Sequence, residues 1–149
     1  MYSSSIEDKM RKLANKINVN IDILKEAIVI HEDDEKLLLP RFLPPSCSKI
    51  TKKIREYILI LMLLDEELLD KKVNDSKSIR KRLYLLGIDS RRIRENFAHL
   101  IDNLERKRLL IRERRKGKEK NYKLYLTPKG KKEAEKILQI ALKISERER

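Results

Sequence analysis

Arginine and lysine are the residues of this chain that most clearly indicate a chemistry, the binding of anions. The segment 89–132 contains 16 Lys or Arg and six Asp or Glu, a balance of 16 − 6 = +10. The whole chain has 149 residues and a formal net charge of +13. Guanidinium and ammonium groups at this density attract and neutralise anions such as phosphates. The segment therefore predicts a polyanion-binding surface.

The rest of the chain does not share this charge. Residues 1–49 include eight basic and eight acidic side chains, whereas residues 50–149 include 29 basic and 16 acidic ones. Such an asymmetry is typical of a neutral segment joined to a segment that binds a polyanion.

Residue patterns for catalysis are weak. Cys47 is the only cysteine, so an intramolecular disulfide is excluded, and the two histidines, His31 and His99, fit no zinc-ligand or nucleophile spacing. The three glycines are too dispersed for a phosphate-cradling loop: Gly87, Gly117 and Gly130. We expect no enzymatic activity, no catalytic residue and no cofactor.

The cluster 31–35, His-Glu-Asp-Asp-Glu, could in principle ligate a hard metal ion or offer catalytic carboxylates. It is contiguous, and no spaced set of further ligands accompanies it. We therefore interpret it as a solvated loop and predict no metal site.

Apolar periodicity divides the chain into three parts. Residues 1–45 contain two short apolar stripes at helical spacing, which predict a helical N-terminal arm for packing or dimerisation, or a second small helix-turn-helix. Three prolines at positions 40, 44 and 45 end this arm. Residues 46–132 form the basic domain, and residues 133–149 a C-terminal helix with a wide apolar stripe. The stripe and the neutral arm together predict a homodimer.

The basic domain begins with a predicted central helix over residues 50–69, which is apolar on most sides. Asp75 or Ser76 caps the next helix, which Gly87 ends. Its inward residues are Ile79, Leu83 and Leu86, and its predicted outward residues are Lys77, Arg80, Lys81 and Arg82.

Asp89 or Ser90 caps a third helix. Its apolar face consists of Ile93, Phe97, Leu100, Ile101 and Leu104. Its outward face at 3.6 residues per turn includes Arg91, Arg92, Glu95 and His99, with Arg94 on the flank. Residues 109–113 and 122–126 then predict two strands joined by a basic turn, and Thr127-Pro128 begins the last helix.

Two sequence motifs resemble those of MarR-like and PadR-like winged-helix transcription regulators. They are Leu104-Glu105-Arg106-Lys107-Arg108-Leu109-Leu110-Ile111 and Leu126-Thr127-Pro128-Lys129-Gly130. The resemblance covers residues 50–136 and implies a mainly α (α+β) winged helix-turn-helix fold. Arg108 departs from the families' pattern because it stands where they usually have a helix-ending glycine. The C-terminal helix is also shorter than in MarR-like proteins, and residues 1–45 match neither family, so ligand sensing does not carry over.

These features predict a transcription regulator that binds double-stranded DNA, with the third helix in the major groove and a basic wing on the backbone or minor groove. There are three alternatives: an architectural or non-specific nucleic-acid binder, an RNA- or ribosome-associated factor, and a protein-interaction subunit of a replication or transcription complex. We expect a cytoplasmic protein with no membrane association, of archaeal or thermophile-like composition. The predicted DNA contacts are Ser90, Arg91, Arg92, Arg94, Glu95, His99, Arg112, Arg114, Arg115, Lys116, Lys118 and Lys120.

Overall fold

A computed structural model describes residues 4–32, 36–113 and 121–147 of the chain. This part is mainly helical and contains two small antiparallel sheets. The elements, in chain order, are α1 (Ser4–Ile17), α2 (Ile21–Ala27), β1 (Ile28–Glu32), β2 (Lys36–Pro40), α3 (Ile50–Leu69), β3 (Asn74–Asp75), α4 (Ser76–Leu85), α5 (Ser90–Arg106), β4 (Leu110–Glu113), β5 (Lys123–Leu126) and α6 (Pro128–Arg147). No helix in these ranges is both long enough and apolar enough to span a membrane.

Helix α3 is the centre of the core, as its apolar sequence predicts. Every residue from Glu56 to Asp65 is buried, and the helix packs against α1, β2, α4, α5, β5 and α6. The second sheet has the strand order β3-β5-β4, with both pairs antiparallel. It closes the end of the domain where α4 begins, because the backbone amide of Ser76 donates to the carbonyl of Tyr122 at 2.9 Å.

Two helix ends fix the path into and out of α5. At the end of α4, Gly87 has φ +94°, and the amide of Ile88 donates to the carbonyl of Leu83 at 3.0 Å. At the end of α5, Arg108 has φ +61°, and the amide of Leu109 donates to the carbonyl of Leu104 at 2.9 Å. Both are left-handed helix terminations with the same hydrogen-bond pattern. Arg108 therefore takes the backbone conformation that glycine would take at this turn, at a cost of about 1 kcal/mol.

The N-terminal arm is not wholly helical, which corrects the prediction for residues 1–45. Helices α1 and α2 are present, but residues 28–40 form the hairpin β1–β2, in which Ile28 pairs with Pro40 and Ile30 with Leu38. Leu37 and Leu38 are buried against the core, and β2 packs on α3. Three acidic residues of the cluster 31–35, Asp33, Asp34 and Glu35, lie outside the described residues.

Most of the apolar stripe of α6 is covered within the same chain, but Ile140 and Ile144 are 38% and 41% exposed. Ile137, Leu138, Ala141 and Leu142 are buried, and α6 packs against α1, α2 and α3. The arm and α6 therefore cover most of the apolar surfaces from which a homodimer was predicted, although Leu43 of the arm is also 59% exposed. The homodimer remains a prediction, and of these two surfaces only the exposed apolar residues still support it.

Arg82 was predicted to face outward, and this prediction is wrong. Its side chain is 1% exposed and forms two hydrogen bonds with Asp65 of α3, at 2.9 and 2.8 Å, while that carboxylate is 3% exposed. Asn74 of β3 accepts a further, longer bond from the same guanidinium at 3.4 Å. This buried ion pair fixes α4 on α3 and so sets the position of the α4–α5 turn.

Candidate nucleic-acid interface

The outward face of α5 has the composition predicted from its sequence. Ile93, Phe97, Leu100, Ile101 and Leu104 are all buried, which orients the helix. The six predicted contact residues of this helix are all exposed: Ser90, Arg91, Arg92, Arg94, Glu95 and His99. The described structure therefore exposes the whole α5 half of the predicted site. Arg91, Arg92, Glu95 and His99 share one face of the helix, and Arg94 lies on its flank.

The first turn of α5 is held by a side-chain cap. Asp89 accepts a hydrogen bond from the backbone amide of Arg91 at 2.8 Å, which satisfies one of the free amides of the helix start. Arg91 also donates from Nε to Glu95 one turn later, at 2.9 Å. Arg92 and Arg94 make no ion pair among the residues that the structure describes. Their guanidinium groups are therefore available to an anion, whereas that of Arg91 is shared with Glu95.

Two other residues on this face have polar neighbours within the helix. His99 lies 3.4 Å from the amide nitrogen of Asn103, and Asn96 donates to the carbonyl of Arg92 at 2.8 Å. Ser90 is the first residue of the helix. With histidine counted as neutral, the formal charge of these exposed residues comes from Glu95 and the three arginines of the first turn.

Arg112 does not join this surface. Its side chain is 10% exposed and forms ion pairs with Asp102 and with Glu105, the latter at 3.2 Å. Its guanidinium also lies over the ring of Tyr122, 5.2 Å from the centroid. Burial opposes the charged form, but the hydrogen bond with Asp102 and the charge of Glu105 raise the pKa of Arg112. We therefore assign Arg112 to holding β4 against α5, and its predicted contact with DNA stays a prediction.

Five of the predicted contacts lie outside the described residues. They are Arg114, Arg115, Lys116, Lys118 and Lys120, in the segment between β4 and β5. Their contribution stays a prediction from sequence. Within the described residues, His, Cys, Asp and Glu side chains do not gather in any group of three that could hold a metal ion.

The structure adds Lys53, which sequence analysis missed. An open groove joins the start of α3 to the start of α5 and is lined by Lys53, Asp89 and Arg92, together with Cys47 and Gly87. Lys53 and Arg92 are 39 residues apart in sequence, so no spacing rule connects them. Their proximity extends the positive surface from α5 to the start of α3.

The charged residues in the first turn of each helix differ between α1 and α2 on the one hand and α3 to α6 on the other. Helices α1 and α2 have an acidic residue in the first turn, Glu7 and Asp22, as the helix dipole favours. Helices α3, α4, α5 and α6 have none there and instead carry Lys52, Lys77, Arg91 and Lys129. The N-caps Asp75 and Asp89 already place a carboxylate at the starts of α4 and α5. At α3 and α6 the cation costs about 0.3–1 kcal/mol, which a bound anion would offset.

The fold and this surface define an α+β protein with a cationic helix face. Comparison of the chain with protein-family models, with curated proteins and with solved structures found no match in any of the three.

Proposed function

We propose that this protein is a winged-helix protein that binds duplex DNA through α5, and that it acts as a transcription regulator. The observation that carries the proposal is the exposed, cationic first turn of α5, because its apolar side is fully occupied by the core. A helix of this kind can enter the major groove without disturbing the fold.

The order of elements supports the winged-helix part of the proposal. Helix α3, strand β3, helices α4 and α5, and strands β4 and β5 follow one another, with β5 between β3 and β4 in the sheet. This order places the segment between β4 and β5, with its predicted cations, after the C-terminal end of α5. In a winged helix that segment is the wing, which reaches the backbone or minor groove.

The two sequence motifs that resemble those of MarR-like and PadR-like regulators, 104–111 and 126–130, are in contact with each other. The amide of Thr127 donates to the carbonyl of Leu109 at 3.2 Å, and the Thr127 hydroxyl donates to the carbonyl of Arg108. Thr127 also caps α6, because its Oγ1 accepts from the amide of Gly130 at 2.9 Å. This contact gives a physical reason for both motifs to occur in one chain. It supports our proposal that the chain is related to these families.

Selection from a random duplex library tests the proposed function, and Arg92→Ala tests its mechanism. Arginine can donate two hydrogen bonds to one guanine, so we expect Arg92→Ala to weaken binding to the selected site by about 1–3 kcal/mol and binding to random DNA much less. Competition binding on the two duplexes measures this difference.

Glu95→Gln is the matched control for that experiment. It removes a negative charge from the same face and frees Arg91, so we expect it to strengthen binding to random DNA. A library that yields no enriched motif, or an Arg92→Ala variant weakened equally on both duplexes, would favour the architectural or non-specific alternative.

A further inference from the structure

The outward side of α6 carries a row of cations that the α5 surface does not include. Its members, named here the α6 cation row, are Lys132, Lys136, Lys143 and Arg147, all exposed. They recur at spacings of four, seven and four residues, so they lie within one sector of about 60° on a helix of 3.6 residues per turn. At 1.5 Å per residue, the row extends about 22 Å along α6.

The described residues do not neutralise the row. Across residues 4–32, 36–113 and 121–147, none of its four members forms an ion pair with a carboxylate. By contrast, Lys131, the neighbour of Lys132 in sequence, contacts Glu67 of α3 at 3.0 Å. Glu133 and Glu146 flank the row without pairing with it. A line of like charges destabilises a helix slightly, and an anionic partner would remove that repulsion.

Helices α4 and α6 pack on opposite sides of α3. Asp65 contacts Arg82 of α4, whereas Glu67, two residues later and therefore on the opposite side of α3, contacts Lys131 of α6. Helix α6 packs against α3, α1 and α2, and α5 packs against α3 and α4. The row points away from α3, and so away from α4 on its far side, although the start of α6 contacts the α5–β4 turn.

We propose that the α6 cation row is a second duplex-binding surface, so that one molecule holds two DNA segments at once. The inference rests on the proposed function, which supplies the first segment. Three of the four cations are lysines, which act as point charges and neutralise phosphate without reading bases. Binding at the row is therefore independent of sequence.

The apolar side of α6 argues against a lipid surface as the partner. Ala134, Leu138 and Leu142 on that side are 0% exposed and belong to the core. A membrane-binding helix inserts its apolar side between the headgroups, and here only Ile140 and Ile144 of that side are more than a third exposed. A duplex needs only the charged side.

A bridging experiment tests the proposal. A duplex carrying the site selected through α5 is fixed to beads, the full-length protein is added below saturation, and a fluorescent duplex of unrelated sequence follows. We expect the wild type to capture the second duplex. The variant with Lys132, Lys136, Lys143 and Arg147 all changed to Gln should capture at least about tenfold less while still binding the first duplex.

A pair of charge-matched variants separates the row from net charge. Lys136→Gln with Lys143→Gln removes two cations from the row, and Lys36→Gln with Arg41→Gln removes two exposed cations from β2 and the residue that follows it. We expect the first pair to flatten the log–log salt slope of second-duplex capture by roughly 1.8, since each lost contact contributes roughly 0.9. The second pair should leave the slope unchanged.

Three results would overturn the proposal: no capture by the wild type, capture that survives the fourfold substitution, or binding of phosphatidylserine vesicles through the row without capture of a second duplex. Sedimentation under the same conditions determines whether any surviving capture comes from a dimer. Failure of the proposed function is distinguishable, because it would appear in binding of the first duplex, as insensitivity to substitution of Arg92.

Discussion

Replacing Asp65 by alanine is expected to lower the free energy of unfolding by about 3–5 kcal/mol. The substitution leaves the guanidinium of Arg82 buried, with its main partner removed, and an unpaired buried charge is far costlier than a lost surface contact. Urea unfolding followed by circular dichroism measures the loss. Because Arg82 fixes α4 on α3, DNA binding through α5 should weaken as well.

Asp70→Ala is the matched control for Asp65→Ala. Asp70 also pairs with a cation, Lys9, but its side chain is 75% exposed. Solvent screens this pair, so we expect a loss of less than about 1 kcal/mol. Changing Asp65 and Arg82 together to leucine should restore most of the stability, because no charge is then left buried. Equal losses for Asp65→Ala and Asp70→Ala would contradict the assigned role of the buried pair.

Gly130→Ala is the second substitution with a large expected effect. A Cβ atom at this position would lie 1.8 Å from the carbonyl oxygen of Leu109 and 2.7 Å from its carbonyl carbon. Backbone atoms cannot rotate away, so the start of α6 must move from the α5–β4 turn. We expect a loss of about 3 kcal/mol or more in the free energy of unfolding, measured by the same urea titration.

Gly87→Ala separates this steric overlap from backbone strain. Gly87 has φ +94°, but no atom lies within 4 Å of the position that its Cβ would occupy. Only the left-handed conformation then opposes the substitution, and we expect a loss of about 1–2 kcal/mol. A loss at Gly87 as large as the loss at Gly130 would contradict the close backbone approach described here.

The fold of α5 and its surroundings was predictable because each signal there is local. Asp89 is the N-cap, and the buried face has helical spacing. Strands β4 and β5 were predicted over 109–113 and 122–126, and they occupy Leu110–Glu113 and Lys123–Leu126. Caps, turns and apolar periodicity operate over a few residues, so a sequence carries them directly.

The buried ion pair was missed because it joins residues distant in sequence. Arg82 stands in the basic run 77–82, which favoured a solvated face. Its spacing of three from Ile79 placed it on the inward side of α4, and Asp65 ends the apolar run of α3. The positions of Arg82 and Asp65 were the only sign of a buried ion pair in the sequence. The two residues meet only because α4 packs on α3.

The hairpin β1–β2 was missed because an acidic cluster separates its strands. The apolar runs 28–30 and 37–39 flank that cluster symmetrically, which is the usual sign of a hairpin. Ile28 instead extended the helical stripe begun at Ile21 and Leu24. Covering of α6 by the arm was likewise not predictable, since it depends on how α1 and α2 fold back onto α3.

The central claim, that α5 binds duplex DNA, is tested most directly by two variants of equal net charge. Arg92→Ala with Arg94→Ala removes two unpaired cations from α5, and Arg11→Ala with Lys12→Ala removes two exposed cations from α1, in the layer on the other side of α3. Binding to a labelled duplex that carries the selected site is measured by fluorescence anisotropy across a range of salt concentrations. We expect the α5 variant to bind more weakly, with a log–log salt slope flatter by roughly 1.8, and the α1 variant to match the wild type. Equal losses in the two variants, or no loss in the α5 variant, would contradict the claim.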